Sequence, residues 1–285
     1  VPMNHVRLAA AHRAAGELPA AEQSLRKALE LQPDEPQTQR ALIAVLLDRG
    51  QAGAALAVAR DIQQRRPREA VGYLAEGDLH VLRRQWDAAV KAYRSGLQVA
   101  PDSSDLAVNL HATHVAAGQS AEAERFAASW LRAHPRDGRF LVYLGDGALQ
   151  RNDLVAAEQR YRAAVQAQPD NAVALNNLAW VMHQQRKPGG LPLAERAHQL
   201  APAQPAFMDT LATLLSGSGE HQRAVALQTQ ALRIRPGDPA LRLNLARVYL
   251  AAGDKGKAKT ELEQLARMGD RHPERDEVQR LLKTL

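Results

Sequence analysis

The stretch RAAVQAQPDNAVALNNLAW, residues 162–180, decides the fold. Its first residues read as the end of a helix. Pro169 stops that helix, and NAVALNNLAW opens the next one. The same punctuation recurs at Pro33, Pro67, Pro101, Pro135, Pro169, Pro202 and Pro236. The interval is 34 residues throughout, except for 33 between Pro169 and Pro202. Each proline follows a helix-like segment, such as KALELQP at 27–33 or QALRIRP at 230–236.

Small residues lie on the same grid. Ala21, Ala55, Ala89, Ala123, Ala157 and Ala224 sit twelve positions before their prolines, and Ala28, Gly96, Ala164, Ala197 and Ala231 sit five before. Gly16, Gly50, Gly118, Gly219 and Gly253 mark a turn in most periods. Each period therefore reads helix, short turn, helix, proline. Small side chains at fixed points let two helices approach closely.

This pattern resembles the tetratricopeptide repeat, over essentially the whole chain. The resemblance implies an all-α fold, a right-handed superhelical solenoid of antiparallel helix pairs. In its register eight repeats run 2–35, 36–69, 70–103, 104–137, 138–171, 172–204, 205–238 and 239–272. Residues 273–285, PERDEVQRLLKTL, then form a helix that caps the last apolar face. Two repeats depart from the pattern. Repeat three has Arg84 at the turn and Glu76 at a normally apolar place, and repeat four has His111 where a small residue is usual.

Composition agrees with helices and narrows the chemistry. Aromatic residues are only 4% of the chain, which offers little to a β-sandwich or to a base-stacking platform. The net charge of +6 is spread over helical surfaces, densest in QQRRPR at 63–68, and nucleic acid is not the expected partner. The absence of cysteine excludes disulfides and thiolate chemistry. No apolar run reaches the length of a transmembrane span, and VPMNHVRLAA has no signal-peptide pattern.

No catalytic motif is found. The ten histidines are scattered, and HExxH, Walker A and G-x-S-x-G are all missing. His111 and His114 lie three apart but lack a carboxylate at ligand spacing. RKPGGLP at 186–192 has two glycines yet links two helices without the Lys-Ser/Thr ending of a phosphate loop. The expectation is a non-enzymatic protein with no cofactor and no metal.

The resemblance further implies a concave groove lined by the first helix of each repeat, at repeat positions 2, 5, 9, 12 and 13. Steps of three and four share one helix face, so these positions belong together. The candidate partner-binding residues are Arg40, Asp78, Asp105, Arg139, Asp146, Asn176, Trp180, His183, Gln184, Asp209 and Arg247. The middle of this face is aliphatic, punctuated by Asp78, Asp105 and Asp146. Repeat six differs, with Asn176, Trp180, His183 and Gln184 all on the inward face. A tryptophan beside amides can anchor a peptide by area and hydrogen bonds, or stack on a sugar. The basic carboxylate clamp of the chaperone-binding variety is not expected, because Asp, Val and Leu hold those positions.

A narrower resemblance rests on NNLAW (176–180), LAERAHQLAP (193–202) and the helix that follows. Residues 138–272 are similar to the C-terminal part of bacterial lipoproteins of exopolysaccharide and PEP-CTERM protein-sorting systems, which carry the same repeat. It implies a scaffold, periplasmic or associated with the outer membrane, whose partner is a protein or peptide. Direct binding of polysaccharide or another polyanion is the alternative. Without that resemblance the expected compartment is the cytoplasm. This chain has no lipobox cysteine and no secretion signal.

Overall fold

A computed structural model describes residues 2–268 and 274–285. The described residues form 17 α-helices and no strand. They fall into two compact units, Val1–Pro135 and Arg136–Leu285.

In the first unit, α1 (Pro2–Ala14) pairs with α2 (Leu18–Leu31), and α3 (Pro36–Asp48) with α4 (Ala52–Arg65). Likewise α5 (Ala70–Leu82) pairs with α6 (Trp86–Val99), and α7 (Ser104–Ala116) with α8 (Ser120–Ala133). In the second unit the pairs are α9 (Gly138–Gln150) with α10 (Leu154–Ala167), and α11 (Ala172–Gln184) with α12 (Gly190–Leu200). They continue as α13 (Pro205–Gly217) with α14 (His221–Ile234), and α15 (Pro239–Ala251) with α16 (Lys255–Arg267). The last helix, α17 (Arg275–Lys283), packs on α16. Within the second unit the first helices also touch in sequence, α9 on α11, α11 on α13 and α13 on α15.

The grid of small residues explains this pairing. Ala21, Ala55, Ala89, Ala123, Ala157 and Ala224 are all buried, as are Ala28, Ala164, Ala197 and Ala231. A methyl group at each crossing sets a short distance between helix axes, and larger residues fill the space on either side. Leu25, Leu42, Leu46 and Leu79 do so in the first unit, and Leu178, Met182, Leu211 and Leu215 in the second.

Side-chain caps start many of the helices. Glu35, Ser103, Asp137, Asn171 and Asp238 accept backbone N–H groups at the start of α3, α7, α9, α11 and α15, and Asp153 and Asp254 do so for α10 and α16. The turn inside each repeat ends the first helix through a left-handed residue. The next N–H then returns to a carbonyl five residues back, as Gln51 N does to Leu46 O at 2.8 Å. Gly50 takes this slot with φ of 71°. Arg84 takes it in repeat three, as its place on the grid predicts, and Asn152 and Arg186 do the same in the next two odd turns, with φ of 58° and 56°.

The short interval between Pro169 and Pro202 falls in the second helix. α12 has 11 residues where most other second helices have 14. It starts after Gly189, which has φ of 90°, so residues 186–189 of RKPGGLP make the turn and Gly190, Leu191 and Pro192 open α12. The C-terminal segment carries α17, Arg275–Lys283. Its Val278 is buried, and Leu281, Leu282 and Leu285 pack against Leu243, Leu262 and Leu265. His272, Pro273 and the end of the 239–272 repeat lie outside the described residues.

Two glycines on one helix test this packing with opposite signs. A Cβ on Gly145 would stand 2.5 Å from the Tyr161 ring, whereas one on Gly147 meets only the Arg151 guanidinium at 3.6 Å. Gly145→Ala should destabilise the protein by about 1–3 kcal/mol through overpacking. Gly147→Ala should stabilise it by about 0.5–1 kcal/mol through helix propensity. Urea unfolding followed by circular dichroism measures both.

Candidate functional site

The first-helix faces carry a hydrogen-bonded arrangement that repeats. In the first unit, Asp78 on α5 accepts from Tyr93 OH on α6 at 2.6 Å and from Asn109 Nδ2 on α7 at 3.0 Å. In the second unit, Asp146 on α9 accepts from Tyr161 OH on α10 at 2.6 Å and from Asn177 Nδ2 on α11 at 3.1 Å. A variant follows at Asp209 on α13. It accepts from Gln228 Nε2 at 2.5 Å and from Asn244 Nδ2 at 2.8 Å. Each carboxylate thus ties its own second helix to the first helix of the next repeat.

Glycine makes room for the tyrosines. A Cβ on Gly77 would lie 2.2 Å from the Tyr93 ring, a closer approach than the one at Gly145. Burial then shapes the electrostatics. It raises Asp78 above the ordinary carboxylate range, against the lowering effect of the bonds from Tyr93 and Asn109. Burial likewise raises Asp209, opposed by Asn244 and Gln228. Tyr93 and Tyr161 are pushed well above an ordinary phenol, first by burial and then by the adjacent carboxylate. Both tyrosines therefore stay neutral donors, which fix a carboxylate and have no role as bases.

Repeat six extends this arrangement. Asn176 Nδ2 donates to Asn177 Oδ1 at 3.1 Å, which joins Asn176 to Asp146 through Asn177. Trp180 and His183 follow on the same helix, both half-buried, with ring centroids 6.0 Å apart. The structure therefore joins Asp146 to Asn176 through Asn177, and sets Trp180 beside His183 further along α11. It places Asn176 deeper than an open groove residue, at 8% exposure. Gln184 is exposed at the end of α11.

The other expected residues lie elsewhere on the first helices. Arg40 is exposed on α3, Asp105 is half-buried in the first turn of α7, and Arg139 is exposed in the first turn of α9. Arg247 is held by α17. Its Nε and Nη2 donate to Glu277 at 2.9 and 2.6 Å, and its Nη1 donates to Asn244 Oδ1 at 2.7 Å. His114 is buried and bonds Gln119 at 2.7 Å, while His111 is half-buried. Among the described residues no group of three His, Asp or Glu side chains is placed to hold a metal ion, and no helix is long and apolar enough to cross a membrane. The basic cluster is largely paired internally, Arg65 with Asp61 at 2.7 Å and Arg66 with Glu69 at 3.2 Å.

The sequence reading missed Tyr93, Tyr161, Asn109, Asn244 and Gln228, and gave Asn177 no role. A signal was present. Gly-Asp at 77–78 recurs at 145–146, Tyr93 at 161 and Asn109 at 177, each two repeats later. Also missed was a charged knot at the short repeat. Glu158, 9% exposed, accepts from Lys187 Nζ at 2.5 Å, Arg162 Nη2 at 2.7 Å and Gln185 Nε2 at 2.9 Å. It pins the residues before the Pro-Gly-Gly break to α10.

This geometry defines a helix-pair repeat protein whose first helices carry both polar and apolar side chains. Models described as tetratricopeptide repeat match residues 5–27, 112–172, 144–205 and 215–283. The chain belongs to the tetratricopeptide repeat family. It is 32% identical over 172 residues to cellulose synthase operon protein C of Xanthomonas axonopodis pv. citri, covering 56% of this chain and 11% of that protein. It is 26% identical over 135 residues to mouse tetratricopeptide repeat protein 21A, covering 46% of this chain and 10% of that protein. A repeat-containing protein of Pseudomonas aeruginosa matches at 32% over 108 residues, 37% of this chain and 18% of the relative. The chain thus spans less than a fifth of each of these relatives. Two solved structures share the fold. Cut9–Hcn1 of the APC/C has a TM-score of 0.59 at 17% identity, covering 96% of this chain and 54% of that one. Pseudomonas aeruginosa pilF has a TM-score of 0.58 at 22% identity, covering 74% and 96%.

The Glu158 knot sets an acid limb of stability. Lys187 first, then Arg162, hold Glu158 down to about 2, against an ordinary 4.5. A lowered carboxylate stabilises the fold above its unfolded pKa, and that contribution fades as pH falls through the folded value. Lys187 and Arg162 are about half exposed, so the knot should contribute about 1 kcal/mol at neutral pH. Glu158→Gln should lower Tm by about 2–4 °C at pH 7. The difference should shrink between pH 4.5 and pH 2, as thermal melts across that range will report.

Proposed function

We propose that this chain is a non-enzymatic scaffold that binds a protein or peptide partner on its first-helix faces. A solenoid of helix pairs offers long, extended area, and neighbouring repeats add contacts without any catalytic group. The observation that carries the reading is the character of α11. It exposes Val173, keeps Trp180 and His183 half-buried, and ties Asn176 and Asn177 into a fixed network. A rigid aromatic beside preset amides is the composition of a binding hot spot.

The setting we propose is the bacterial envelope, in assembly or export of an exopolysaccharide, in the periplasm or at the outer membrane. The NNLAW and LAERAHQLAP segments support it, as does the similarity to cellulose synthase operon protein C. That similarity also favours a second reading, in which the chain contacts the polysaccharide directly.

Immobilised wild type and Trp180→Ala should be compared on a solubilised bacterial envelope fraction. A specific protein should be retained by the wild type and reduced about tenfold or more on the variant, with unchanged circular dichroism. Equal retention would remove Trp180 from the interface. Co-sedimentation with cellulose or an anionic exopolysaccharide, without any retained protein, would favour the second reading.

A further inference from the structure

Asp146 and Asn176 carry more hydrogen-bond acceptors than the described residues satisfy. Tyr161 OH and Asn177 Nδ2 both donate to Oδ1 of Asp146. Among the described residues, its Oδ2 has no donor and its carboxylate pairs with no cation. Asn176 is 92% buried, with 8% exposure, and its amide N–H is spent on Asn177. Its Oδ1 is buried and has no partner. The two open positions are therefore both acceptors, one of them charged. A buried acceptor without a donor costs about 1–3 kcal/mol, which a suitable ligand recovers.

The ligand chemistry follows from that inventory. Two unmatched acceptors on helices joined through Asn177, one of them ionised, call for a cation with several N–H donors. Trp180 lies one helical turn beyond Asn176, and its face attracts a cation as well. Val173, 47% exposed, gives the aliphatic stem of a long side chain an apolar surface. The carboxylate is already oriented by Tyr161 and Asn177, so binding does not have to order it.

The first unit contains the same Asp-Tyr-Asn arrangement at Asp78, and Leu82 and Val115 on the same two first helices are exposed. There Val108 replaces the asparagine that supplies the unpaired acceptor. The Asp146 arrangement is thus the more demanding of the two.

We infer that the Asp146 carboxylate, with the α11 residues joined to it, binds an arginine or lysine side chain from an extended, otherwise apolar segment of a partner protein. This rests on the first-helix face being the binding surface, and it assigns the chemistry of the partner there. A polyanion would meet a fixed negative charge at this point.

The test uses the full chain and an array of heptapeptides with apolar flanks, whose central residue is Arg, Lys, norleucine or Glu. The wild type should prefer Arg and Lys over norleucine by about tenfold, with Glu weakest. Asp146→Asn keeps an oxygen for Tyr161 and Asn177 and removes the charge, so it should abolish that preference while circular dichroism stays unchanged. Asn176→Ala should weaken the Arg peptides more than the norleucine peptides. Binding without preference for a cation, weakened by Trp180→Ala, would overturn the cation assignment and leave the binding face standing. No binding by any pool would overturn both. A cation preference that survives in Asp146→Asn would place the site elsewhere and sink the inference.

Discussion

Close approach of paired helices is the constraint on which the rest of the structure depends. A methyl-sized side chain at each crossing sets the spacing, and every other feature is fitted to it. The buried alanines from Ala21 to Ala231 mark those crossings. Because the spacing is short, leucines from both helices interdigitate, and the first helices of successive repeats come within reach of one another. That reach is what lets a carboxylate on one repeat take hydrogen bonds from its own second helix and from the next first helix at once.

The polar arrangements at Asp78, Asp146 and Asp209 are a consequence of the same spacing. Gly77 and Gly145 leave room for a tyrosine ring where a side chain would collide. At Asp78 the tyrosine hydroxyl then meets a carboxylate that burial would otherwise penalise. Three neutral or charged groups from three helices share the cost of leaving water, and each holds the others in place. Where Gln228 replaces the tyrosine, its amide takes over the donor role and also reaches Leu241 O at 3.0 Å. The first-helix face is therefore held in place by the groups that stitch the repeats together.

The short repeat shows how an irregularity is absorbed. Losing a residue shortens α12 and leaves Gly189 in a left-handed turn. Glu158 gathers Lys187 and Gln185 from just before that break, with Arg162 from its own helix. The knot replaces helical turns with charged hydrogen bonds. It also steadies the C-terminal end of α11, the helix that carries Trp180 and His183.

Much of the fold was legible in the residues alone. Seven prolines and a grid of alanine and glycine define where helices stop and where they touch, because chain reversal and close packing each tolerate few residue types. Helix existence, order and the short sixth repeat all followed from that spacing. The candidate site was legible only in part. Position on a helix selects residues that share a face, and that picked out Asn176, Trp180, His183 and Gln184 on α11 and Asp78 and Asp146 among the acidic residues. It says nothing of partners brought in from other helices. Only the tertiary structure decided that Tyr161 and Asn177 meet on one oxygen of Asp146, that Glu277 engages Arg247, and that Asn176 is buried with an acceptor unmatched. Hydrogen bonds depend on distances of a few tenths of an ångström between distant parts of the chain, and periodicity does not carry that information.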